Sequence, residues 1–170
     1  ITDLNLYLDT NPNDTETLTI LKKYLAIENQ IKNKSKLKDI ILLSKKFSEK
    51  AVNEMIVEFG LEDRIIISSF NHYSVMRFKA INPNIKCGFL EESWILEFGK
   101  YTKNHGIECI HPMHWTLTEE TVGEMKENGI EINTWTVNDE DSVARLYKLG
   151  VDSVIGNYPD MAKKVIDSMK

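Results

Sequence analysis

Arg64 to Phe70 reads Arg-Ile-Ile-Ile-Ser-Ser-Phe, a β-branched run with no polar residue between Ile65 and Ile67. A strand with one face in water alternates apolar and polar side chains, so a run that does not alternate belongs to a strand covered on both faces. Such strands occur in parallel sheets, whose crossover connections are usually helices. The rest of the chain supplies them: short apolar runs alternate with helical patterns at roughly 20- to 35-residue spacing, as in successive βαβ units.

Read in order, Leu18, Leu21 and Leu25 predict a helix over 15–24 capped by Asp14 or Thr15, and 26–32 reads as a rather polar strand. Residues 33–39 are lysine-rich and expected to be a solvated loop. Phe47, Ala51, Met55 and Phe59 fall four apart on one helical face over 46–59, with Gly60 as the stop. Further strands are expected over 85–90, 108–111, 131–137 and 151–155. Further helices are expected around Val75 and Phe78, and over 94–101, 118–128, 140–149 and 161–169, with Gly129 and Gly150 as stops. The fold class is therefore α/β, with a parallel sheet and alternating helices in a single domain over 1–170, of which 1–14 match no pattern.

A chain of 170 residues can bury a core without staples, so Cys87 and Cys109 read as small buried hydrophobes rather than as a disulfide. Lys and Arg number 21 against 26 Asp and Glu, a formal charge of −5, which disfavours nucleic acid as a partner. Apolar runs such as Ile40 to Leu43 fall far short of the roughly 20 residues that span a bilayer. The opening Ile1-Thr2-Asp3 has neither an initiator Met nor the order of a signal peptide, so the chain is expected to be a fragment or processed product, soluble and cytoplasmic.

Four phrases stand in an order that resembles the glycerophosphodiester phosphodiesterase family: Leu61 to Phe70, Ile110-His111-Pro112, Trp135-Thr136-Val137-Asn138 and Gly150 to Ile155. Asn157-Tyr158-Pro159-Asp160 follows as in many members, with Gly156 where threonine is commoner. The resemblance covers about 61–160 well and 15–60 loosely. It implies a partial (β/α)8, TIM-barrel-like fold, and a metal-dependent hydrolase that cleaves a glycerophosphodiester to glycerol 3-phosphate and an alcohol. The family's early His-Arg-Gly, Glu and Asp, and His-Asp strands do not occur here. A complete barrel needs at least about 200 residues, so the resemblance implies the C-terminal portion of such a barrel, inactive by itself and prone to self-association or to pairing with a missing N-terminal half.

The fourth family strand carries Asn-x-Glu-x-Lys, and alignment on its lysine places Glu28, Gln30 and Lys32 on that pattern. The resemblance then implies Lys32 facing the phosphate and Gln30, with Glu28 on the same strand face, holding a divalent calcium or magnesium ion. An amide in place of the carboxylate brings no charge and weaker affinity for a hard cation. Trp135 matches the tryptophan that borders the glycerol pocket and is the best single candidate for substrate contact. His111, at a strand end where barrels place their chemistry, reads either as lining the site or as packed structurally. His72 reads as the start of a helix, and His105 and His114 as surface residues. Two other readings remain: a non-catalytic degenerate or truncated barrel acting as an interaction or regulatory domain, and an unrelated barrel enzyme.

Overall fold

The structure, a computed structural model, describes residues 39–42 and 48–170. Its isoleucine run forms β2 (Ile65–Ser69), buried throughout and paired in parallel on both sides, to β1 (Asp39–Leu42) and β3 (Lys86–Glu91). β4 (Cys109–Pro112), β5 (Glu131–Thr134) and β6 (Ser153–Val154) continue the sheet, all parallel and strictly in chain order. A doubly wound sheet reverses its strand order at a switch point, whereas a (β/α)8 barrel never does. The described sheet therefore follows barrel order.

Helices fill the crossovers: α1 (Glu49–Glu58), α2 (His72–Ile81), α3 (Phe98–Asn104), α4 (Glu119–Glu127) and α5 (Glu140–Leu149), with α6 (Pro159–Ser168) after β6. Most starts are written locally. Ser48, Asn71 and Asp139 accept the amides of Ala51, Ser74 and Ser142 at 3.2, 3.3 and 2.7 Å, and Thr118 forms a capping box with Thr121. α5 stops at Gly150, whose φ of 81° is left-handed. No described helix is long and apolar enough to cross a membrane.

Alternation divides the sheet into two faces. Ile67, Cys87, Phe89, Ile110 and Ile132 join Ile56, Val75, Phe78, Val143 and Leu146 in the apolar layer between sheet and helices. The opposite face carries Ile66, Ser68, Gly88, Leu90, Cys109, His111 and Asn133, also buried. In barrel order this second face is the lumen.

Four expectations need correction. Residues 40–42 of the run read above only against membrane length lie in β1, and Asp39, placed in the solvated loop, is that strand's first residue. β5 ends at Thr134 rather than Val137, because its ladder with β6 closes at Thr134–Val154 and the amide of Val137 turns to Ile155 O at 2.9 Å. The helix expected from Trp94 begins only at Phe98: Glu97 takes a left-handed turn, φ 52°, and Trp94 to Leu96 lie exposed before it. α6 begins at Pro159, whose missing N–H costs nothing in a first turn. The helix expected over 15–24 and the strand over 26–32 lie outside the described residues.

Candidate active site

At the C-terminal strand ends, Trp135 follows β5 and its indole N–H donates to His111 O at 2.7 Å. With that donor occupied, the half-buried ring has only its face and edge to offer a ligand. Phe70, just past β2 and 47% exposed, meets it edge to face at 5.6 Å and 79°. The two rings form an apolar wall at the mouth of the lumen.

Beneath the wall lies a polar belt. The His111 imidazole is 1% exposed; its Nδ1 is 2.7 Å from Ser68 Oγ and its Nε2 is 3.3 Å from Asn133 Nδ2. Asn133 Nδ2 also donates to Glu131 Oε1 at 3.1 Å, and Asn133 Oδ1 accepts the hydroxyl of Ser153. Glu131 is ion-paired with Lys86. The ring sits over Gly88, where a Cβ would come within 2.7 Å of both Cε1 and Nε2. Burial lowers the His111 pKa to about 4, only partly opposed by the Glu131 carboxylate, so the ring is neutral at pH 7. Both nitrogens are engaged by protein groups, and the described arrangement gives this ring no open position for acid–base work at the mouth.

His72 and His105 lie on the helix side of the sheet, against Phe89. His72 opens α2 as read from sequence; it stacks on Phe89 at 4.1 Å, its Nδ1 is 3.1 Å from Tyr101 Oη, and burial lowers its pKa. His105 is an exposed surface residue. His114, read as a surface residue, is half-buried, and its buried Nδ1 has no hydrogen-bond partner among the described residues. Burial and the nearby Arg145 guanidinium lower its pKa. Cys87 and Cys109 are buried thiols not joined in a disulfide, and burial pushes the Cys87 pKa up to about 12, which makes it inert.

Gly156 has a steric reason to be glycine: a Cβ there would fall 1.9 Å from Val137 O, where the chain leaving β6 crosses the chain leaving β5. Lys32, Gln30 and Glu28 lie outside the described residues. Among the described residues, no group of three or more His, Cys, Asp or Glu is placed to hold a metal ion. Ser68, Asn133, Glu131 and Ser153 were not singled out from sequence. Their one signal is a polar residue on the lumen-facing parity of each strand, visible only once the parity is known.

A sequential parallel sheet with helical crossovers and an aromatic mouth at its C-terminal strand ends defines a partial, TIM-barrel-like fold of the (β/α)8 class. The model of the glycerophosphoryl diester phosphodiesterase family matches residues 6–161, and the chain belongs to that family. A glycerophosphodiester phosphodiesterase of Caldanaerobacter subterraneus is 33% identical over 124 residues, which cover 73% of this chain and 51% of that protein. One from Bacillus altitudinis is 32% identical over 124 residues, 72% of this chain and 51% of its own. The chain thus spans about half the length of these curated relatives. The fold also matches the crystal structure of a glycerophosphodiester phosphodiesterase from Parabacteroides distasonis, with TM-score 0.76, 22% identity, and 88% of this chain against 64% of that one. An Oleispira antarctica phosphodiesterase solved with the product sn-glycerol-3-phosphate matches with TM-score 0.71, 21% identity, and 86% of this chain against 60% of that one. The family is generally dependent on a divalent metal ion; the described residues do not by themselves fit one.

Proposed function

We propose that the protein hydrolyses glycerophosphodiesters. In this reaction water attacks phosphorus, the P–O bond to the alcohol breaks, and glycerol 3-phosphate and the free alcohol leave. The described residues bind and shape: Phe70 and Trp135 wall the mouth with apolar surface and keep water from one side of the bound substrate. His111, neutral and held on both nitrogens, serves as framework rather than as the acid or base. By the family pattern, Lys32 would bind the phosphate, and Glu28 and Gln30 would hold a divalent cation, calcium or magnesium, to neutralise its charge.

One observation carries this reading. The ring of Trp135, fixed by His111 O at 2.7 Å, stands at the strand end where barrels place substrate, inside the region matched to the family. In the full-length protein, Trp135→Ala is expected to lower kcat/KM for glycerophosphocholine about tenfold or more, roughly 1.4 kcal/mol of transition-state stabilisation. The thermal midpoint should move by only a few degrees, roughly what 1 kcal/mol moves in a domain of this size. A midpoint collapse with activity per folded molecule intact would show that the ring is core rather than wall.

A further inference from the structure

The lumen belt contains an asymmetry that its neutral members cannot produce. The hydroxyls of Ser68 and Ser153 can each donate or accept, the Asn133 amide can face either way, and a neutral imidazole can carry its proton on either nitrogen. The chain Ser68–His111–Asn133–Ser153 could therefore run in both directions with every bond satisfied. Glu131 breaks the symmetry. Its carboxylate, ion-paired with Lys86, only accepts, so the Asn133 side turned toward it must be the amide N–H₂. That same Nδ2 is the atom 3.3 Å from His111 Nε2, which must then be the unprotonated nitrogen, leaving the proton on Nδ1, 2.7 Å from Ser68 Oγ.

We infer that Glu131 is a positioning residue: through Asn133 it fixes His111 as the Nδ1–H imidazole, cross-tying β2, β4 and β5 directly behind the indole of Trp135. The tie reaches the mouth because His111 supplies both the clamped ring and the carbonyl that receives Trp135 Nε1–H. With the ring seated over Gly88 and bonded on both sides, the peptide carrying that carbonyl has one orientation. A charge at the N-terminal end of β5 thereby sets the pose of an aromatic wall at its C-terminal end. The kinetic consequence rests on the phosphodiesterase reading above; the proton position does not.

The test is ¹⁵N NMR of the histidines in the full-length protein, with His111 assigned by His111→Asn. In the wild type, His111 should show a protonated Nδ1 and an unprotonated Nε2 at pH 7. In Glu131→Gln, whose amide can donate to Asn133 Oδ1 and let it turn over, the population should move toward Nε2–H. The Trp135 indole N–H cross-peak should shift with it, and KM should rise by about threefold or more, a larger change than that in kcat. Ser153→Ala should leave the tautomer unchanged, because a hydroxyl sets no direction. A wild-type His111 protonated on Nε2 overturns the inference, whether or not any variant folds. So does a tautomer unchanged in Glu131→Gln, or one that changes while the Trp135 cross-peak and KM stay put. Absence of turnover in the wild type overturns the phosphodiesterase reading and leaves the two NMR signatures to decide this one.

Discussion

The two faces of one sheet are equally buried and differently built. On the helix side Ile67, Phe89, Ile110 and Ile132 meet Phe78, Val75 and Leu146, and dispersion and burial, which have little directional demand, hold them. On the lumen side Ser68, His111 and Asn133 are just as dry, but each is held by a bond to a particular atom. The first face tolerates change in proportion to lost volume. The second responds to the loss of a single proton or the gain of a single methyl, because an unmatched buried polar group costs its full desolvation.

Three experiments sharpen that contrast. The largest effect is expected from Phe89→Ala, which removes a fully buried ring together with its stacking on His72 and should cost about 3–5 kcal/mol by denaturant unfolding. A loss below about 1 kcal/mol would mean the helix-side layer repacks freely. Next comes acid. His111 titrates near 4 when folded, against about 6.5 when unfolded, so between those values the unfolded chain binds more protons. The neutral ring's contribution is thus complete above about pH 6.5 and lost as pH falls toward 4, of order 3 kcal/mol in all. Stability of the wild type measured against His111→Asn over that window should show the slope only in the wild type; parallel curves would contradict a buried, neutral imidazole. The smallest effect pairs two glycines. Gly88→Ala drives a methyl into His111 and should cost about 1–3 kcal/mol. Gly123→Ala, within α4 and facing open space, should stabilise by about 0.5–1 kcal/mol.

What could be seen in advance follows the same division. Strand interiors and the stops at Gly60, Gly129 and Gly150 depend on near neighbours in sequence, and the isoleucine run alone was enough to require a parallel sheet. Trp135 was placed at a strand end by motif and order, and the structure puts its ring there. Of the lumen belt only His111 stood out, at its strand end. Its partners Ser68, Asn133 and Ser153 are polar residues on three other strands, with 20 to 43 positions between bonded partners, and each alone reads as ordinary. β1 was overlooked because Ile40 to Leu42 follows a lysine-rich stretch, so its local surroundings read as solvent-facing. The start of α3 was misplaced for a different reason: its first amides find their acceptor on another helix.

That acceptor is Glu124 of α4, whose two carboxylate oxygens receive Gly99 N–H at 2.8 Å and Lys100 N–H at 2.9 Å. Gly99 also packs so tightly that a Cβ would lie 2.6 Å from Met125 Cα. Seven residues are too few to persist as an isolated helix, so α3 exists on the sufferance of its neighbour. In hydrogen–deuterium exchange the amides of Gly99 and Lys100 should therefore keep time with the opening of α4 rather than fray as a terminus does. The pair would melt as one cooperative unit, carrying the exposed Trp94 to Leu96 segment with it.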